Sequence, residues 1–242
     1  MGNDRPEPRL ATAPIRRSGR RLADYKFSLL LLTLFLFLAV NPFFADKPGW
    51  TFMFDALLLL VLLGNVYAVT HRPRSLIAGG LLAGGAFLSF VYADIGSNQP
   101  FEVLGFLLLG LLWLFSTGSL LGHILSRHTV TVDTLAGSVC VYLQLALVWS
   151  IVFYFIETLI PGSFNFVAEP LTGAERSRDH FEQFTYYSFV TLTTLGYGDV
   201  LAVSAPARNL SFLEAAVGQI YLAVLVARLL GLHLAGRENK ET

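Results

Sequence analysis

Thr191-Leu192-Thr193-Thr194-Leu195-Gly196-Tyr197-Gly198-Asp199 is the stretch that decides how this chain folds. Two glycines, Gly196 and Gly198, flank one tyrosine, Tyr197. Glycine alone visits left-handed backbone angles at little steric cost. Alternating those angles with right-handed ones turns successive carbonyls toward one side. A row of such carbonyls, joined by the Thr194 hydroxyl, can replace the water shell of a bare cation. Before the stretch lies a short aromatic amphipathic segment, His180–Leu192; after it comes a long apolar helix candidate, Leu210–Leu234.

Composition sets the environment. Of 242 residues, 54% are hydrophobic and 14% charged, too apolar for an ordinary soluble domain. Net charge is zero, so no nucleic-acid partner is indicated. The single cysteine, Cys140, lies in an apolar run and reads as a small packed hydrophobe.

Runs of about 20 apolar residues cross a bilayer as helices. Five precede the glycine-rich stretch, at 26–45, 51–70, 75–93, 101–125 and 134–159, and a sixth, 208–234, follows. Segment 180–192 is too short to cross and is expected to be re-entrant. Residues 1–25 carry Arg5, Arg9, Arg16, Arg17, Arg20 and Arg21 and read as a basic cytoplasmic tail able to touch anionic lipid. With both termini inside, thirteen of the 17 basic residues fall on the cytoplasmic side, in keeping with the positive-inside rule. Localisation in a plasma membrane, of bacterial inner-membrane type, follows as an expectation.

Thr193-Thr194-Leu195-Gly196-Tyr197-Gly198-Asp199 resembles the potassium-channel signature, with Leu195 where the commonest form has Val. The similarity extends to a pore helix before and an inner helix after. It covers residues 131–242, while 26–130 show a six-helix channel layout without further signature. It implies an all-α, multi-pass membrane protein with six transmembrane helices, a re-entrant pore helix and a four-fold pore. It places K+ at Thr194, Leu195, Gly196 and Tyr197, with Gly198 completing the filter and Thr193 supporting it.

Further roles come from that likeness. Tyr186 and Tyr187 stand where many relatives carry a tryptophan pair, as an aromatic cuff. Asp199 is expected to reach back to Tyr186. Val190 replaces a glutamate found in some relatives, so a carboxyl pair cannot form there. Glu157 is either a brace acting through backbone amides or an exposed interfacial acid. Gly218, 19 residues after Asp199, matches the inner-helix hinge, with close packing an equal alternative. Gln219, Leu222, Ala223, Val226, Ala227 and Leu230 are expected to face the cavity, and a ring of Leu230 or Leu234 could close it by dewetting. Glu214 is expected to face protein near the filter, because a carboxyl is costly in lipid.

The domains expected are a tail (1–25), a four-helix peripheral unit (26–130) and a pore unit (131–242). Ser75–Ser126 holds no Lys or Arg, so voltage-sensing charges are missing from the fourth helix. Gly80/Gly84 and Gly118/Gly122 are small-xxx-small pairs expected to pack helices within the peripheral bundle. Asp55, Asn65 and Gln144 are polar groups within spans, of which Asp55 and Asn65 read as interfacial or packed. Asp179 is expected to cap the pore helix, with Glu182 three residues on. The short stretch after the last span leaves no cytoplasmic gating domain expected.

One filter segment per chain requires four chains, so a homotetramer is expected, with membrane lipids and an unidentified regulatory partner as the other candidates. No cofactor beyond permeant K+ and no enzymatic chemistry are expected. The reading is a K+-selective channel. Its alternatives are a nonselective cation channel of the same fold, a secondary transporter, and a non-conducting regulatory subunit.

Overall fold

A computed structural model describes residues 25–44, 50–69, 73–96, 99–126, 131–166 and 177–241. The basic tail, most of the outer turret and the loops holding Lys47, Arg72, Arg127 and His128 lie outside the described residues. Among the described residues seven helices account for nearly everything: α1 (Lys26–Phe44), α2 (Trp50–Val69), α3 (Pro73–Gly96), α4 (Gln99–Ser126), α5 (Val132–Leu159), α6 (Ser177–Leu192) and α7 (Ala205–Glu241). Helices dominate because each satisfies its backbone polar groups internally, which lipid demands. Ser75–Ala93, Gln99–Ser126, Val132–Leu159 and Ala205–Arg228 are long and apolar enough to cross a membrane; Lys26–Val40 and Ala56–Tyr67 form shorter apolar stretches.

α5 is the hub. It packs against α4, α1, α6 and α7, while α3 lies on α4 and α2 lies on α1 and α3. Aromatic rings tie the peripheral helices to α6: Phe106 of α4 meets Phe90 of α3, Tyr154 of α5 and Phe181 of α6 at centroid distances of 5.0, 4.6 and 5.0 Å. Burying rings of this size supplies much of the packing in each contact. At the other end, Asp133 in the first turn of α5 accepts hydrogen bonds from the Phe27 and Ser28 amides at 3.1 and 3.0 Å. It thereby satisfies donors that the start of α1 would otherwise leave open.

A polar knot crosses the centre of the bundle. Asn65 Oδ1 accepts from Ser116 Oγ at 2.7 Å and from Gln144 Nε2 at 2.6 Å, and Thr117 Oγ1 donates to Gln144 Oε1 at 3.1 Å. The four side chains join α2, α4 and α5 and are buried. Asn65 and Gln144 are therefore packed polar residues; the Asp55 side chain lies outside the described residues.

Two expectations are corrected. Gly80, Gly84, Gly118 and Gly122 have no atom within 4 Å of the place a Cβ would occupy, so these pairs make no helix contact within the chain. The close approaches fall at Gly85, Gly105, Gly110 and Gly137 instead, where a Cβ would come within 2.8–3.2 Å of Leu108, Phe90, Ile151 and Phe27. Small-residue spacing reports an accessible helix face but does not say which face meets a neighbour. α6 begins at Ser177, so Asp179 is its third residue and not its cap. Finally, two three-residue strands, β1 (Phe164–Phe166) and β2 (Val200–Ala202), pair antiparallel across the segment between α5 and α7. They are too short to show any alternation in sequence.

Candidate functional site

The segment between α6 and β2 has an unusual backbone. Thr194, Gly196 and Gly198 have φ of 59°, 58° and 80°, while the intervening Leu195 and Tyr197 do not. Left- and right-handed residues thus alternate along the five-residue run. Among the described residues Thr194 is the sole non-glycine with positive φ. A β-branched residue is strained there, and such strain persists only where the surroundings over-determine it.

The surroundings do so through the segment's amides. Thr194 N–H donates to Thr191 O at 2.9 Å, and the Leu195 and Gly196 amides donate to Val190 O at 2.9 and 3.4 Å. Thr193 Oγ1 closes the end of α6 by donating to Phe189 O at 2.7 Å. The amides turn back to the helix end, and no carbonyl of residues 193–198 accepts a hydrogen bond among the described residues. Residues 193–198 are also exposed in the single chain, Leu195 by 55% and Tyr197 by 67%. An irregular apolar backbone at this depth needs protein or a water-filled cavity around it.

Buttresses hold the run from behind. Tyr186 Oη donates to Asp199 Oδ2 at 2.6 Å. This bond pushes the Tyr186 phenol up to about 12, so it stays a donor across the physiological range. Tyr187 packs edge-on against Phe153 and Phe164 and hydrogen-bonds Ser211 of α7 at 2.7 Å. It ties α6 to α7. Glu157 accepts from the Gly162 amide at 2.7 Å and the Phe164 amide at 3.0 Å, which anchors β1. β1 in turn holds β2 directly after Asp199, and Arg208 Nε donates to Ala202 O at 3.1 Å. Glu157 thus braces the outer turn, and reaches the loop only through the strand pair.

α7 contacts the rest of the chain along one stripe: Ala207, Glu214 and Gly218 are buried, and Ser211, Tyr221 and Leu225 are half-buried. At Gly218 a Cβ would stand 2.6 Å from Leu192 O, so this glycine allows close packing of α7 on the end of α6. Leu192 O also accepts from Tyr142 Oη at 3.3 Å. Glu214 is fully buried, and the Ser188 hydroxyl of α6 is hydrogen-bonded both to it and to Ala146 O of α5, the latter at 2.7 Å. Sequence position placed Glu214 against protein but could not name Ser188 and Ala146 as its neighbours. Gln219, Leu222, Ala223, Val226 and Ala227 point away from this stripe and are exposed. The Leu230 and Leu234 side chains lie outside the described residues.

The class these features define is a multi-pass helical membrane protein with a short helix and an irregular loop between two of its apolar spans. Residues 141–232 match a family described as an ion channel, and this stretch contains the loop, α6 and most of α5 and α7. The matched part of the chain is thus similar to an ion-channel domain. No curated protein matches the chain.

Proposed function

We propose that the protein is a potassium-selective channel whose pore is formed by four copies of this chain. The observation that carries the reading is the alternation of φ at Thr194, Gly196 and Gly198 within the sequence Thr-Leu-Gly-Tyr-Gly. With amides turned to α6, the carbonyls of Thr194, Leu195, Gly196 and Tyr197 are free to face a shared axis. Four copies would make stacked oxygen rings that replace the water around K+, with the Thr194 hydroxyl at the inner end and Gly198 at the outer. Ions would then advance by mutual repulsion between adjacent sites. The C-terminus of α6 would aim its negative dipole end at the central cavity lined by α7. Ions bind and leave without covalent chemistry or a cofactor.

The six-span topology, the inward termini and the tetramer belong to this proposal. Exposure of both the loop and α7 in the single chain supports the tetramer, since lipid cannot satisfy an open carbonyl row. The peripheral unit lacks sensing arginines, so gating by steep voltage dependence is not expected.

Purified protein in planar bilayers with opposed K+ and Na+ gradients tests the reading. The zero-current potential should follow K+, and conductance should vary shallowly with voltage. A potential indifferent to K+ would replace this reading with the nonselective channel. Transport with a fixed ion–substrate stoichiometry would replace it with a transporter.

A further inference from the structure

We propose that Glu214 works as a neutral acid, donating its proton to Ser188 and so latching α7 to α6 and α5 behind the filter. The inference rests on the channel reading for its consequence but on hydrogen-bond counting for its substance. Ser188 owns one hydroxyl hydrogen and touches two oxygens, Ala146 O at 2.7 Å and Glu214 Oε1. A backbone carbonyl can only accept. Ala146 O also receives the Ser150 hydroxyl at 2.8 Å, so it is a committed acceptor. If Ser188 gave its hydrogen to an ionised Glu214, its lone pairs would face Ala146 O at contact distance, and the two oxygens would repel. A protonated Glu214 resolves both contacts: the acid donates to Ser188 Oγ, and Ser188 donates to Ala146 O.

Charge counting agrees. Glu214 is fully buried, and its Oε2 has no hydrogen-bond partner among the described residues. Residues 134–156 of α5, 183–192 of α6 and 209–227 of α7 contain no charged side chain apart from Glu214 itself. The titratable groups facing this junction are phenols: Tyr142 of α5, bonded to Leu192 O, and Tyr187 of α6, bonded to Ser211. None supplies a positive charge. A buried carboxylate with no counter-charge and one oxygen unpartnered is strongly disfavoured, and protonation avoids that penalty.

The latch joins three helices at one point. Ser188 is one turn before Leu192, where Gly218 packs, so the acid and the glycine hold consecutive turns of α7 against the helix that carries the filter. Glu214 is thus a positioning residue: it touches no ion, and its ionisation would leave α6 free to shift.

Infrared spectroscopy of the assembled full-length protein tests the protonation, and K+ flux from proteoliposomes tests the consequence. A protonated-carboxyl carbonyl band should be present at neutral pH, absent in Glu214→Gln, and shifted in Ser188→Ala. Flux in the native protein should fall as pH rises through the midpoint of that band, because the protonated fraction drops about tenfold per pH unit beyond it. Glu214→Gln, whose amide still donates to Ser188, should conduct with no such decline. No band at neutral pH, a band unmoved by Ser188→Ala, or the same alkaline decline in Glu214→Gln would each overturn the latch. Should the Gln variant fail to assemble, the Ser188→Ala shift alone decides. A band that behaves as stated in a protein passing no K+ would sink the channel reading and leave the protonation standing.

Discussion

α5 and α7 are both long helices with strongly apolar spans in the stretch that matches an ion-channel family, yet the chain treats them differently. Within the fold, 56% of the α5 span is buried and only 11% of the α7 span. α5 is wrapped by four helices, while α7 leans on α5 and α6 along a single stripe and leaves Phe212, Leu213, Ile220, Val224 and Val226 exposed. The lesson is about where each helix finds its partners. α5 meets them inside one chain. α7 and the loop before it are shaped for surroundings that one chain does not provide, which in the proposed tetramer are a water-filled axis and neighbouring copies.

The largest expected effect lies on the open side of that comparison. Gly196→Asp puts a side chain on a residue with φ of 58°, and Tyr197→Ala strips the large side chain from the residue between the two glycines. Each is expected to abolish K+-selective flux, read as a zero-current potential that no longer separates K+ from Na+. Unchanged selectivity in either variant would mean that the loop does not line the ion path.

Next is the seam between the two regions. Gly218→Ala drives a methyl into Leu192 O and should cost about 1–3 kcal/mol through overpacking. Gly80→Ala, at a position with open space, should change stability by less than about 1 kcal/mol. Thermal unfolding of the two variants checks the pair; equal shifts would show that Gly218 is not a packing contact.

Inside the wrapped region, Asn65→Ala strips the acceptor from Ser116 and Gln144. Leaving these buried donors unsatisfied should cost about 1–3 kcal/mol in the same measurement. K+/Na+ selectivity should stay as in the native protein, because the knot lies among α2, α4 and α5.

The smallest effect is expected at Tyr186→Phe, which removes one hydrogen bond to Asp199 and little volume. A several-fold rise in the rate at which open channels fall silent, with selectivity kept, is the outcome to seek in single-channel records. The native phenol titrates near 12, above the ordinary 10.0. Its bond is therefore whole below pH 10 and is lost as pH approaches 12. A decline in flux at pH below 10 therefore belongs to another group, and Tyr186→Phe should not remove it.

Much of this was legible in the chain itself. Apolar runs located the long helices to within three residues, except that α7 runs on to Glu241, seven residues past the expected end, and the glycine spacing located the loop. Glu214 read as protein-facing because a carboxyl in lipid is costly. The small-residue pairs misled, since four residues of spacing define a helix face but not its neighbour. β1 and β2 were invisible because three residues carry no period, and with them the route by which Glu157 supports the loop.

What the sequence settled alone follows from local chemistry: apolar length makes a helix in lipid, and a glycine at alternate positions permits left-handed angles. What needed the tertiary structure were the pairings: Tyr187 with Ser211, Gly218 with Leu192, Asn65 with Gln144, and Glu214 with Ser188 and Ala146. Each joins residues 24–79 positions apart and selects one neighbour among several equally apolar faces. Hydropathy is blind to such choices, because only packing in three dimensions decides which donor meets which acceptor.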